Sequence, residues 1–314
     1  MTLIHPKPAR APFSHPDLTA DGAARAVVPM AGLRTLWFNT GTLCNLTCTH
    51  CYIESSPRND RLSYLTRDDV RAYLEEIAAL RLPTVEIGFT GGEPFLNPDI
   101  DALLAESLGR GYRTLVLTNG MQPMMKHQAA LLALRDRFAD ALVLRVSVDH
   151  HRRELHEEER GRRAWAPTMR GLEWLSSNGF VVHVAGRLRW GDDEAAMRAG
   201  FRALFAAHGV RVDADDPSAL VLFPEMDADA DVPEITTACW GILDKRPEDV
   251  MCASSRMVVR RKGAAHPVVV SCTLLPYDAQ FELGRTLAES LVPVRLNHRH
   301  CAAFCVLGGG RCSA

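Results

Sequence analysis

Between residues 33 and 225 the chain alternates between two hydrophobic periods, and this constrains its fold more than any other feature. Six short runs are β-branched or apolar and read as strands: LRTLWFNT (33–40), TVEIGFT (84–90), RTLVLTN (113–119), ALVLRVSVD (141–149), FVVHVAGRLR (180–189) and ALVLFPE (219–225). Helical patterns separate them. TRDDVRAYLEEIAALRL (66–82) opens with Thr66 and Asp69 at capping-box spacing, and RAWAPTMRGLEWLSSNG ends on an Asn-Gly stop. Strands alternating with helices predict an α/β fold with a parallel sheet and helices outside it. Six units fall short of the eight that close a barrel. The expectation is therefore a partial (β/α)6 TIM-like barrel, with an open doubly wound sheet fitting the same pattern. In either fold, functional groups gather at the C-terminal strand ends.

The flanks differ. Residues 1–33 read as an irregular leader, broken by prolines and without the apolar h-region of a secretory signal. After about residue 248, SSRMVVRRKGAAHPVVVSCTLL predicts a hairpin around Gly263. The tail HRHCAAFCVLGGGRCSA looks too small for a core of its own, and such modules usually need a metal or disulfides. The expected division is leader 1–33, barrel 34–247 and a small cysteine-rich β-hairpin extension 248–314. A net charge of −2 gives no electrostatic footprint for nucleic acid or an anionic membrane. No run approaches the roughly 18–20 apolar residues of a membrane span. A cytoplasmic protein without nucleic-acid or membrane partners is expected.

Nine cysteines fall into two groups, with none between Cys51 and Cys239. In a reducing compartment, clustered cysteines more often mean metal or catalysis than disulfides. Cys44, Cys48 and Cys51, spaced C-x3-C-x2-C, follow the first strand directly. Three thiolates on one loop can hold three irons of a [4Fe–4S] cube and leave the fourth open to an exchangeable ligand. A zinc site completed by a remote ligand, with His50 at hand, is the competing reading, and packed thiols are the third.

The second strand ends in TGGEP. Gly91 and Gly92 let the backbone approach a ligand with free N–H groups, and the Glu93 carboxylate can accept a bond from a ligand ammonium. A plain turn with a solvated glutamate is the alternative. Later strand ends offer Thr118 and Asn119, then Ser147, Asp149, His150 and His151, then Arg187. His150 and His151 read either as an acid–base pair at the barrel mouth or as exposed loop residues.

The CxxxCxxC motif followed by Tyr52, with GGEP after the second strand, resembles the radical S-adenosylmethionine (SAM) superfamily over about residues 33–225. The resemblance implies a partial (β/α)6 barrel in which Cys44, Cys48 and Cys51 ligate a [4Fe–4S] cluster and SAM chelates its open iron. It assigns Gly91, Gly92, Glu93 and Pro94 to the SAM methionine moiety, with Thr118, Asn119, Ser147 and Arg187 as further SAM contacts. It implies a one-electron cleavage of SAM, fed by an external donor of flavodoxin or ferredoxin type, to a 5′-deoxyadenosyl radical that abstracts a substrate hydrogen.

Cys252, Cys272, Cys301, Cys305 and Cys312 resemble the twitch or SPASM extension of that superfamily, where an auxiliary [4Fe–4S] cluster lies beyond the barrel. Cys252, Gly263 and Cys272 are similar to its opening, although the Gly263–Cys272 interval is long. Zinc is the alternative occupant. Which four of the five thiols bind stays open, and Cys239 reads as a packed thiol or a further ligand. The expected reaction is an oxidation or bond formation on a small molecule, because the leader is short for a leader-peptide-binding domain. A maturase acting on a ribosomally made peptide is the alternative, and a non-catalytic iron–sulfur or zinc protein the distant one. The acidic Asp213, Asp215, Asp216, Glu225, Asp227, Asp229 and Asp231 either meet a cationic substrate or form a solvated loop.

Overall fold

The structure, a computed structural model, describes residues 10–225, 227 and 230–311. In chain order its elements begin β1 (Val27–Val28), β2 (Thr35–Asn39), α1 (Arg67–Ala79), β3 (Glu86–Thr90), α2 (Ile100–Gly109), β4 (Arg113–Thr118), α3 (Gln122–Met125) and α4 (Gln128–Phe138). They continue β5 (Leu142–Ser147), α5 (Arg153–Arg160), α6 (Trp165–Ser177), β6 (Val181–Leu188), α7 (Glu194–His208), β7 (Leu220–Pro224) and α8 (Cys239–Ile242). The C-terminal part holds β8 (Ser255–Val259), β9 (Val268–Val270), α9 (Leu287–Ser290), β10 (Val294–Arg295) and a π-helical turn, Cys301–Leu307.

β2 to β7 lie side by side and parallel in sequence order, as the alternation predicts. Local chemistry sets the helix ends. Thr66 and Asp69 form the reciprocal capping box of α1. The Asp193 carboxylate accepts the Ala196 N–H at the start of α7, and Gly209 ends that helix in the left-handed conformation.

The strands are apolar almost throughout because both faces are buried. Alternate residues separate two cores. Leu36, Phe38, Phe89 and Leu144 face helices α1 to α7. Trp37, Leu115 and Val143 face the barrel interior, where Met251, Cys252, Phe281, Phe304 and Val306 pack against them. Trp37 fits only because β3 carries Gly88 opposite: a Cβ there would lie 2.2 Å from the indole ring.

This interior core corrects two expectations. The C-terminal tail is not too small for a core. It shares the one inside the barrel, with Phe304 and Val306 fully buried. Each such side chain contributes roughly 1.5–3 kcal/mol of apolar burial. The hairpin is also no separate appendage. β8 runs parallel beside β2, from Thr35↔Ser255 to Phe38↔Val258, and β9 pairs antiparallel with β8 at the sheet edge. The period-2 pattern shows that a hairpin forms but not which strand it joins. The leader, too, is partly ordered: β1 pairs with β10, and the buried Arg25 donates to Glu234 at 2.6 Å.

Candidate functional site

A single cavity gathers the C-terminal ends of β3 to β7: Thr90, Thr118, Ser147, Arg187 and Pro224 all line it, with Cys44, Cys48 and Cys51. The two loops carrying the sequence motifs meet here, backbone to backbone. Gly92 donates its N–H to the Gly41 carbonyl at 2.8 Å, and Glu93 donates to the Leu43 carbonyl at 3.0 Å. A Cβ on Gly92 would fall 2.1 Å from the Leu43 oxygen. Gly91 has φ of 145°, and a Cβ there would fall 2.4 Å from the Gly41 oxygen. The glycines therefore dock this loop onto the cysteine loop. Of the two glycine N–H groups expected to be free for a ligand, that of Gly92 is used in the docking, together with that of Glu93.

Glu93 is 1% exposed and does not line the cavity. It accepts the Thr118 hydroxyl at 2.8 Å, the Asn119 N–H at 2.9 Å and the Phe95 N–H at 3.2 Å. Burial pushes its carboxyl above the usual range, opposed by these bonds. In this structure it ties the GGEP loop to the end of β4 rather than standing solvated. Pro94, also buried, opens the 3-10 turn that Glu93 caps. Asn119 donates to Asn45 on the cysteine loop at 2.9 Å, and its amide lies 4.0 Å from the Cys44 sulfur.

The far side of the cysteine loop rests on α5, which the sequence did not lead us to expect. Thr49 donates its N–H to the Glu159 carbonyl at 2.9 Å. The Glu159 carboxylate, 2% exposed, accepts the His50 N–H at 2.9 Å, the His50 Nδ1 at 2.8 Å and Arg187 at 2.7 Å. Arg187 also reaches Glu225 at 3.2 Å, so its guanidinium is engaged by two carboxylates. Next to Glu159, Arg160 makes a two-pronged contact with Asp149. Burial alone would raise the Asp149 carboxyl, but the Arg160 guanidinium outweighs it and holds Asp149 below its ordinary range. Burial likewise pushes the Cys44 thiol up to about 12 and Cys48 to about 11, with Arg160 opposing the shift at Cys48. A bound metal would displace those protons, since thiolates are the ligating form.

Several expectations resolve differently. His150 is fully buried against Asp192, at 3.2 Å, and Trp190, and His151 packs on Gly200 and Phe201, so neither is exposed and neither lines the cavity. Asp213, Asp215, Asp216, Asp227 and Asp231 are exposed, as a solvated loop would be, whereas Glu225 holds Arg187 and Arg189. Asp229 and Cys312 lie outside the described residues. Cys239 accepts from the Thr236 N–H at 3.4 Å beside α8. Behind the cavity, Cys252, Cys272 and Cys301 lie near one another, and each ionised neighbour raises the pKa of Cys301 further beyond the effect of burial. Among the described residues, no three His, Cys, Asp or Glu side chains converge as a single-ion site. One zinc needs all its ligand atoms within about 2.0–2.3 Å of one point. A four-iron cluster gives each thiolate its own iron, so its thiols need not converge on one point.

Comparison with known proteins bears on the family and the fold. The family model "Radical SAM superfamily" matches residues 38–188, from β2 through β6. The antilisterial bacteriocin subtilosin biosynthesis protein AlbA of Bacillus subtilis is 32% identical over 143 residues, 45% of this chain and 30% of that protein. The AdoMet-dependent heme synthase of Methanosarcina barkeri is 29% identical over 144 residues, 45% of this chain and 38% of that protein. The matched region thus spans well under half the length of these curated relatives. In fold, the chain resembles Streptococcus suis SuiB bound to S-adenosylmethionine, with TM-score 0.59 and 12% identity over 81% of this chain and 63% of that one. It also resembles native anSMEcpe with bound AdoMet, with TM-score 0.56 and 14% identity over 82% and 79% of the two chains. The mostly parallel sheet is the partial barrel of these structures. With its three-cysteine loop docked on a GGEP loop at the mouth of that barrel, the chain belongs to the radical SAM superfamily of enzymes.

Proposed function

We propose that this protein reductively cleaves SAM at a [4Fe–4S] cluster held by Cys44, Cys48 and Cys51, and uses the product to activate a C–H bond of its substrate. The observation that carries this proposal is the opening of three thiols and the GGEP loop onto one cavity. Bound there, cluster and SAM together supply one-electron cleavage of the S–C5′ bond to methionine and a 5′-deoxyadenosyl radical. The chain's own groups orient and enclose. Arg160, buried beside Cys44 and Cys48, is the cation placed for the methionine carboxylate. Gly91, Thr118, Asn119 and Ser147 line the same wall, and Glu93 holds that wall in place from behind. Arg187, already shared by Glu159 and Glu225, stabilises the cysteine loop through Glu159.

In the same proposal residues 248–314 are a twitch- or SPASM-like region, following a leader (1–33) and the barrel (34–247). Cys252, Cys272 and Cys301 contribute to an auxiliary [4Fe–4S] cluster that assists an oxidation or bond-forming step. The electron comes from a flavodoxin- or ferredoxin-type donor in the cytoplasm. A small-molecule substrate fits the relative named a heme synthase. A ribosomally made peptide fits those named a bacteriocin biosynthesis protein and a mycofactocin maturase. Two of these three names favour the peptide.

Titration with SAM tests the first step. After anaerobic reconstitution and dithionite reduction, SAM should change the electron paramagnetic resonance (EPR) signal of the cluster at Cys44, Cys48 and Cys51. A signal indifferent to saturating SAM would refute chelation at an open iron.

A further inference from the structure

The cavity's charges are balanced within its own wall. Four carboxylate or guanidinium side chains line it, and they form two pairs, Arg160 with Asp149 and Arg187 with Glu159. The lining imidazole, His50, is held by Glu159 as well. With Arg160 shared by Asp149 and the SAM carboxylate, and Arg187 by Glu159 and Glu225, no lining carboxylate or guanidinium is left over for a charged substrate group beside bound SAM. The wall supplied by β6, β7 and the C-terminal segment is apolar instead: Ala185, Phe223, Pro224, Leu274 and Phe304, joined by Leu117 from β4.

This apolar wall is closely packed. Phe304 is 1% exposed and packs on Phe223, ring centroids 5.6 Å apart. Gly310 lies flat on the Phe304 ring, where a Cβ would come within 2.6 Å, and Gly308 lies against Pro224, where a Cβ would come within 2.7 Å. Both Phe304 and Leu274 come from the segments that carry the C-terminal cysteines. Phe304 stands between Cys301 and Cys305, and Leu274 stands two residues after Cys272. The C-terminal region therefore shapes the cavity directly.

Resting on the SAM-cleaving function above, we propose that the substrate presents to this cavity an uncharged hydrocarbon group, an aliphatic or aromatic side chain, and not a carboxylate, phosphate or ammonium. Beside bound SAM, a charged substrate group on the apolar wall would lose its water without gaining a partner, whereas a hydrocarbon group would replace poorly solvated wall contacts with close packing. Phe304 and Leu274 are then specificity-determining residues.

Fluorine NMR on the reconstituted, SAM-loaded full chain tests this with three probes of one shape: 4-fluorotoluene, 4-fluorobenzoate and 4-fluorobenzylammonium. The neutral probe should bind at least about tenfold more tightly than either charged one. Its resonance should broaden when the cluster is reduced, which places it in this cavity without any mutation. Phe304→Ala should weaken the neutral probe by about tenfold, and Leu274→Ala should act in the same direction should the first variant fold poorly. A charged probe binding as well as the neutral one, or a neutral probe that does not bind or does not broaden, overturns the inference. SAM occupancy is read in the same sample. SAM that fails to bind overturns the function beneath the inference, whereas SAM that binds beside a preferred charged probe overturns the inference alone.

Discussion

Replacing Glu93 by alanine should damage the protein before it damages any ligand contact. The carboxylate accepts two buried backbone N–H groups, of Asn119 at 2.9 Å and Phe95 at 3.2 Å, and the Thr118 hydroxyl at 2.8 Å. The hydroxyl can turn elsewhere, but the two N–H groups cannot. Each stranded donor costs roughly 1–3 kcal/mol, and part of that is offset because the wild type holds a desolvated carboxylate. A net loss of about 3 kcal/mol is a large share of the roughly 5–15 kcal/mol that keeps a domain folded. At about 2–4 °C per kcal/mol, the apo chain should melt about 6–12 °C lower. Glu93→Gln keeps one acceptor oxygen and turns an NH2 towards one of the stranded donors, so about half that shift is expected. The backbone N–H of Glu93 holds the cysteine loop through Leu43, so iron content should fall together with SAM affinity. Differential scanning calorimetry, iron analysis and SAM titration on the same preparations measure all three. An alanine variant that melts like wild type, keeps its iron and loses only SAM affinity would refute this. Glu93 would then be a ligand contact and not a tie between loops.

Gly92→Ala should prevent assembly of the first cluster while leaving the sheet intact, because its Cβ meets a main-chain oxygen at 2.1 Å and no side chain can move aside. Near-zero SAM-responsive EPR signal with a native far-ultraviolet circular dichroism spectrum is the expected result. Joint replacement of Cys252, Cys272 and Cys301 by alanine should remove about four irons and leave the SAM-responsive signal in place. On the outer face, Arg67, Arg71 and Arg110 surround Glu106 and hold its carboxyl at about 2 against the opposing effect of burial. A depressed carboxyl stabilises the fold above the unfolded value near 4.5, and that stabilisation is lost as pH falls from there towards 2. The gap in melting temperature between wild type and Glu106→Gln should therefore be full at neutral pH and shrink below about pH 4.5. A gap that does not change with pH would show that the arginines act on Glu106 only through packing.

The barrel was legible because its strands and helices announce themselves locally. β2 to β7 are unbroken apolar runs, and α1 and α7 carry their caps in the sequence. The cysteine and GGEP loops were legible for the same reason, since residue type and spacing alone carry the signal. What escaped depends on tertiary placement. α5, RELHEEER, has hardly any apolar residue to mark a buried face, and its buried positions are His156 and Glu159. Paired charges fill the space that hydrophobes fill elsewhere, so neither residue type nor spacing singles out Glu159 and Arg160. Gly92 looked like ligand-binding backbone because one chain segment cannot reveal that another lies against it. The tail looked too small for a core because Phe304 and Val306 lie on one short π-helical turn, and the core they complete includes strands well over a hundred residues earlier.

Production of 5′-deoxyadenosine tests the central claim most directly. The chain, reconstituted anaerobically with iron and sulfide, would receive SAM and dithionite beside a variant with Cys44, Cys48 and Cys51 all replaced by alanine. The account predicts the nucleoside from the wild type and none from the variant. Equal amounts from both, or none from a wild type shown to have bound SAM and substrate, would contradict it.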